Sequence, residues 1–139
     1  MPTAPPFHDP QVERAFDAFP DPARLTLLDL RRLVFDTAIQ TDGVGPLQET
    51  LKWGQPAYLT PTTHSGSTLR LGVTKSDDPA IYVHCQTTIL SDFRTVFPND
   101  FRYEGHRAVH LDDASPLPSD KLQLLIAATL TYHIRKKNA

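Results

Sequence analysis

Arginines and aromatic residues recur together from Trp53 onward, and this pairing indicates anion binding. Arg70, Tyr82 and His84 alternate with apolar residues in two neighbouring segments, so a β-hairpin would place all three on its polar face. A guanidinium binds carboxylate or phosphate through paired hydrogen bonds, and aromatic rings form walls around a ligand. The predicted site comprises Arg70, Tyr82 and His84, with Trp53 and Tyr58 as walls and Arg94 and Arg107 as further anion contacts.

The same residues also have a structural explanation, in which each arginine pairs with a carboxylate on a solvated sheet face. The candidate carboxylates are Asp92, Asp100, Glu104, Asp112 and Asp113. Ion pairs of this kind are common, so they also account for the pattern. Trp53 and Tyr58 flank a glycine–proline bend, where covering the core is as good an explanation as forming a pocket wall.

Cys85 is the only cysteine and offers a different chemistry. A predicted helix begins just after it, at Thr87 or Thr88, and a helix N-terminus favours the nucleophilic thiolate. Alternation through Ile81 and Val83 instead places Cys85 on the core face, where a free cysteine is inert. Inert packing is the favoured interpretation, and a thiol-dependent enzyme is the alternative.

The sequence lacks the common motifs of nucleotide, hydrolase and zinc enzymes. It contains no G-x-x-x-x-G-K-[ST], G-x-G-x-x-G, G-x-S-x-G or H-E-x-x-H. With 14 basic and 16 acidic residues the formal net charge is −2, which disfavours a nucleic-acid partner. There is no membrane-spanning apolar run and no secretory signal, and one cysteine excludes an intramolecular disulfide. We therefore expect a cytoplasmic protein without a membrane partner, metal or cofactor.

Hydrophobic spacing predicts helices on both sides of a strand-rich middle. Residues 1–10 hold four of the 13 prolines and form an arm, either ordered by contact or loose, ahead of a single domain over 11–137. Helices are predicted over residues 11–19, from Asp21 and Pro22 to Thr41, from Thr87 or Thr88 to Phe97, and from an N-cap at Ser119 to Lys136.

Period-two alternation predicts about five strands. Residues 51–59 form one strand bent at its glycine, and 67–74 pairs with 80–85 as an antiparallel hairpin. Residues 101–103 and 108–111 are shorter candidates. The predicted class is α+β: a single domain whose mainly antiparallel sheet carries an N-terminal helical pair, one mid-chain helix and a long C-terminal helix.

Six short clusters are specific enough to compare with known families. They lie at 52–58, 70–72, 82–88, 93–94, 102–108 and 130–133, and the most specific is W-G-x-P-x-Y at 53–58. Together they resemble the family called domain of unknown function 1801, also described as YdhG-like, over residues 47–136. The resemblance implies a compact α+β domain with an antiparallel sheet and packed helices. It implies no established activity and no catalytic or binding residues.

Some relatives in that family have been proposed as frataxin-like iron carriers, so iron carriage is an alternative function. An iron carrier needs an oxygen-rich acidic surface. The acidic residues that could form one are scattered: Asp29, Asp36, Asp42, Asp77, Asp78, Asp112 and Asp113. The sequence therefore favours a non-catalytic binding protein for a small anionic ligand or a protein partner. The apolar face of the second helix is a candidate homodimer contact, with the stems of Arg24 and Arg31 along its edge.

Overall fold

The computed structural model describes residues 4–112 and 116–137. Within these ranges the chain forms five helices and one six-stranded antiparallel sheet, which confirms the predicted α+β class. No helix in this part of the chain has both the length and the apolarity needed to cross a membrane.

The elements follow one another with short connections. Helices α1–α5 span Pro10–Asp17, Ala23–Gln40, Ile89–Val96, Ser119–Leu130 and Tyr132–Lys137. Strands β1–β6 span Gln48–Lys52, Gln55–Leu59, Leu69–Val73, Pro79–Tyr82, Arg102–Glu104 and Ala108–His110. The sheet order is β1-β2-β3-β4-β6-β5, so the long predicted hairpin, β3–β4, lies at its centre.

One face of the sheet, the covered face, packs against the helices. Leu71, Ile81 and Val109 lie side by side across β3, β4 and β6, and all three are fully buried. Leucines of α2 and α4 complete this core, among them Leu30 and Leu125. Each fully buried side chain of this size contributes about 1.5–3 kcal/mol relative to exposure, so this layer provides the main stabilisation of the fold.

The prediction of one bent strand over 51–59 is wrong, because the segment is a hairpin of β1 and β2. Trp53 and Gly54 form the two-residue turn, with φ of 56° and 76°. Positive φ at both positions is required by a type I′ turn, whose twist matches that of antiparallel strands. Pro56 interrupts no ladder hydrogen bond with β3, because the β2–β3 register begins at Ala57. This hairpin raises the strand count to six from the expected five or so.

The C-terminal helix is also divided, between Leu130 and Tyr132. In a continuous helix the Thr129 carbonyl would accept from the His133 amide. Here Thr129 O accepts from Ser67 N at 2.9 Å, and His133 N donates to Ser65 O at 2.8 Å. The 65–67 loop therefore replaces a helical hydrogen bond, which hydrophobic spacing along the helix could not reveal.

Helix caps differ from those predicted. Asp21 accepts a hydrogen bond from Arg24 Nε at 3.0 Å instead of capping α2, and neither Thr88 nor Ser119 forms a side-chain cap. Asp9 caps α1 by accepting from the Gln11 amide at 2.8 Å. These differences move helix ends by one or two residues and leave the architecture unchanged.

The described part of the N-terminal arm lies against α2. Arg31 Nη1 donates to the Pro5 carbonyl at 2.7 Å, and its guanidinium carbon lies 3.9 Å from the centre of the Phe7 ring. Residues 1–3 of the predicted arm lie outside the described residues. Arg31 is only 2% exposed, which corrects the expectation that its stem runs along the edge of the core.

Candidate functional site

Arginines and aromatic residues gather on the opposite, open face of the sheet. The strand register places Arg70 of β3 directly beside Tyr82 of β4. The guanidinium carbons of Arg70 and Arg107 lie 5.5 and 5.9 Å from the centre of the Tyr82 ring. These distances are within the range of cation–π attraction. We refer to Trp53, Arg70, Tyr82, His84 and Arg107 as the open-face cluster.

A shallow pocket of about 350 Å³ is lined by Trp53, Arg70, Val83, His84, Cys85 and Arg107. The β1–β2 turn supplies Trp53, β3 supplies Arg70, and the segment after β4 supplies His84. The Val83 amide donates to the Arg107 carbonyl at 2.8 Å, which holds the β5–β6 connection beside that segment. Four of the seven predicted site residues therefore line one pocket, and Tyr82 lies next to its two arginines.

Arg70 has a polar partner but no ionic one among the described residues. Its Nη1 donates to Gln55 Oε1 at 2.7 Å. Gly72 makes this contact possible, because a Cβ there would lie 2.5 Å from Gln55 Nε2. Partial burial lowers the pKa of Arg70, and repulsion from the Arg107 charge lowers it further. The half-buried guanidinium thus remains without a compensating carboxylate.

The other arginines of this face do form ion pairs. Arg107 Nε lies 2.9 Å from Glu104 Oε2, while Glu104 Oε1 is 2.9 Å from His110 Nε2. Arg102 contacts Asp78 at 3.4 Å and Asp112 at 3.1 Å. The structural explanation therefore accounts for Arg102 and partly for Arg107, but it does not account for Arg70. Of the other proposed carboxylates, Asp100 pairs with Lys121, and Asp113 lies outside the described residues.

Trp53 is 88% exposed although it is the largest side chain at the pocket. Its φ of 56° lies in the left-handed region, which is unusual for a bulky residue and costs of order 1–3 kcal/mol. Asparagine is the usual residue at this turn position. Neither core packing nor turn geometry therefore explains a tryptophan here, and the core-covering interpretation is wrong for Trp53.

Tyr58 and Arg94 do not belong to this cluster, which corrects their grouping with it. Tyr58 is fully buried on the covered face, where its hydroxyl donates to Glu49 Oε2 at 2.7 Å. Burial, and next the Glu49 charge, raise the pKa of Tyr58 well above its usual value. Arg94 lies on α3, with its guanidinium carbon 5.1 Å from the centre of the Tyr103 ring.

The prediction that Cys85 lies on the core face is wrong. Strand β4 ends at Tyr82, and the chain turns so that Cys85 is exposed. The turn is closed by the His84 carbonyl, which accepts from Thr87 N at 3.1 Å and from Thr87 Oγ1 at 2.7 Å. His84 Nδ1 accepts from the Gln86 amide at 3.2 Å, so a neutral His84 ring carries its proton on Nε2.

The acidic residues considered for iron do not converge. The described residues contain no group of three or more histidine, cysteine, aspartate or glutamate side chains placed to hold a metal ion. Asp29 and Asp36 both accept hydrogen bonds from Arg32, at 2.9 Å each. These two carboxylates on one side of α2 are thus engaged in ion pairs.

No family model matches this chain, and no curated protein matches it either. Among solved structures, the chain is similar to the crystal structure of a protein from the DUF1801 family, YdhG of Bacillus subtilis. The two sequences are 14% identical, the alignment covers 94% of each chain, and the TM-score is 0.63. The resemblance predicted from the short sequence clusters is confirmed at the level of the fold. At this sequence identity the likeness concerns the fold alone.

Proposed function

We propose that this protein binds a small anionic ligand in the pocket of the open-face cluster. The observation that carries the proposal is the state of Arg70: half-buried, held by an amide, and beside a second guanidinium. Removing a charge from water without a partner of opposite charge is unfavourable. An anion bound at Arg70 would supply that partner.

Donors from three separate elements converge on the same pocket. Arg70 and Arg107 provide guanidinium groups, and His84 provides its Nε2–H. Gln55 holds Arg70, and Glu104 holds Arg107, so neither side chain has to be ordered entirely by the ligand. We propose binding rather than catalysis, in a reducing, cytoplasmic compartment that suits the exposed thiol of Cys85.

Thermal unfolding with a panel of inorganic phosphate, succinate and citrate tests the proposal. A ligand present at one hundred times its Kd stabilises the native state by about 2.7 kcal/mol, which is a measurable rise in Tm. We expect at least one anion to raise Tm. Arg70→Gln should abolish the rise, whereas Arg94→Gln should keep it, because Arg94 also lies over a tyrosine but outside the pocket.

Cys85 provides a second measurement of anion binding, made inside the pocket itself. It is the only cysteine and lines the pocket, so alkylation by iodoacetamide reports pocket access. The anion that raises Tm should slow this alkylation in the wild-type protein but not in Arg70→Gln. The proposal fails if no anion raises Tm, or if Arg94→Gln removes the effect as completely as Arg70→Gln.

A further inference from the structure

The pocket of the open-face cluster has two chemically different ends. Arg70 and Arg107 bring positive charge, His84 brings an N–H donor, and Trp53 brings an indole that is 88% exposed. A ligand that is only an inorganic anion would leave the indole without a partner. The lining is thus suited to a molecule with one charged group and one flat, apolar group.

The two ends are fixed relative to each other by the sheet. Lys52 pairs with Gln55 across the β1–β2 hairpin, so the turn residue Trp53 sits directly beside Gln55. Gln55 in turn accepts the 2.7 Å hydrogen bond from Arg70. The backbone positions of Trp53 and Arg70 are therefore fixed by adjoining parts of one antiparallel sheet, which suits recognition of a ligand at two points.

The charge at the anionic end fits a phosphate monoester better than a single carboxylate. Two guanidiniums lie within 6 Å of the same tyrosine ring, and Glu104 divides its carboxylate between Arg107 and His110. A phosphate monoester carries about −1.5 to −2 charges at neutral pH and has three acceptor oxygens. It can accept from both arginines and from His84 Nε2, whereas a carboxylate has two oxygens and one charge.

We infer that the ligand is a phosphate monoester joined to a flat ring, with its phosphate between Arg70 and Arg107 and its ring stacked on Trp53. This inference rests on the proposed function and specifies its ligand class. It also gives a role to Trp53, because no contact among the described residues explains its left-handed backbone and its exposure.

Three probes separate the two ends: adenosine 5′-monophosphate, ribose 5-phosphate and adenosine. Trp53 is the only tryptophan, so the protein's tryptophan fluorescence reports this side chain alone. We expect the monophosphate to quench the fluorescence and to bind about tenfold more tightly than ribose 5-phosphate, because a base stacked on an aromatic side chain adds affinity. Ribose 5-phosphate should raise Tm without quenching, and adenosine should do neither.

Two variants test each end separately. Trp53→Asn creates the Asn-Gly pair that type I′ turns prefer, so the hairpin should be retained. In this variant the monophosphate and ribose 5-phosphate should bind with equal affinity, as measured by calorimetry. Arg70→Gln should abolish measurable binding of both phosphates while leaving the tryptophan spectrum of the free protein unchanged.

The outcomes distinguish this inference from the proposal on which it rests. If the wild type binds the monophosphate and ribose 5-phosphate equally well and without quenching, the inferred stacking of a ring on Trp53 is wrong, and the anion site remains supported. If adenosine binds as tightly as its monophosphate, the inferred phosphate contact is wrong. Succinate or citrate raising Tm while no phosphate does so also overturns this ligand class but supports the anion site. If no anion binds at all, both proposals fail.

Discussion

Arg31 and Arg70 each lie beside a tyrosine of the central sheet, but on opposite faces. On the covered face, Arg31 Nε and Nη2 donate to the two carboxylate oxygens of Glu49, at 2.7 and 3.0 Å. The Tyr58 hydroxyl donates to the same carboxylate at 2.7 Å, and the Pro5 carbonyl accepts from Arg31 Nη1. On the open face, Arg70 has one amide partner, and the neighbouring arginine, Arg107, repels its charge instead of compensating it.

The comparison separates an arginine that completes the fold from one that is available to a ligand. Arg31 has a compensated charge, and three of its nitrogens make hydrogen bonds inside the protein. Arg70 has a charge that no described carboxylate compensates. Both arginines contact aromatic rings, so the aromatic neighbour does not distinguish them; the presence of a carboxylate does.

The largest expected effect comes from removing the carboxylate on the covered face. Glu49→Gln leaves the buried Arg31 without a counter-charge, and breaking a buried ion pair costs about 3–5 kcal/mol. Urea denaturation measures this loss as a lower midpoint with an unchanged slope. The matched control is Glu104→Gln on the open face, where the exposed pair with Arg107 contributes less than about 1 kcal/mol. Equal losses in the two variants would contradict the comparison.

Much of the open face follows from local pattern. Alternation in β3 and β4 places Leu71 and Ile81 on one face, and it therefore places Arg70 and Tyr82 together on the other. That argument depends only on residues next to one another in the chain. It fails at Cys85, because the Val83 amide bonds to the Arg107 carbonyl and the chain then turns at His84, which ends the alternation.

The covered-face pair depends on residues far apart in the sequence. Arg31 and Glu49 are separated by 18 positions, and helical spacing locates Arg31 near the apolar edge without showing what lies opposite. One signal was present: Glu49 alternates with Leu51 on the face that meets the helices, and a carboxylate there needs a cationic partner. The Trp53–Gly54 turn carried no comparable signal, because turns of this type usually hold asparagine, aspartate or glycine before the final glycine.

A smaller effect distinguishes the two tyrosines at alkaline pH. Burial and Glu49 raise the pKa of Tyr58, so the folded protein keeps this proton where the unfolded chain, with a tyrosine pKa near 10, releases it. The contribution of Tyr58 to the free energy of unfolding is therefore fully present below about pH 10, and it decreases as the pH rises above that value. Tyr58→Phe removes this contribution, and its stability should fall less steeply than that of the wild type between neutral pH and pH values above about 10.

The same measurement on Tyr82→Phe provides the comparison. Burial, and next the charge of Glu104, also raise the pKa of Tyr82, but by less than the pKa of Tyr58 is raised. Tyr82→Phe should therefore change the dependence of stability on alkaline pH by a smaller amount than Tyr58→Phe does. At neutral pH, Tyr58→Phe also loses a hydrogen bond to a charged acceptor, at a cost of about 1.5–3 kcal/mol. A larger change in slope for Tyr82→Phe would contradict the assignment of the faces.

The smallest expected effect on stability belongs to the residue with the largest expected effect on binding. Arg70→Gln loses the hydrogen bond to Gln55 and the contact with the Tyr82 ring, but it also removes the repulsion between Arg70 and Arg107, so these changes oppose each other. We expect unfolding free energy to change by no more than about 0.5 kcal/mol in urea denaturation. Because salt screens the repulsion, added salt should stabilise the wild type slightly more than the variant. A loss as large as that of Glu49→Gln would make Arg70 a structural arginine like Arg31, and the open face would then have no charge left for a ligand to compensate.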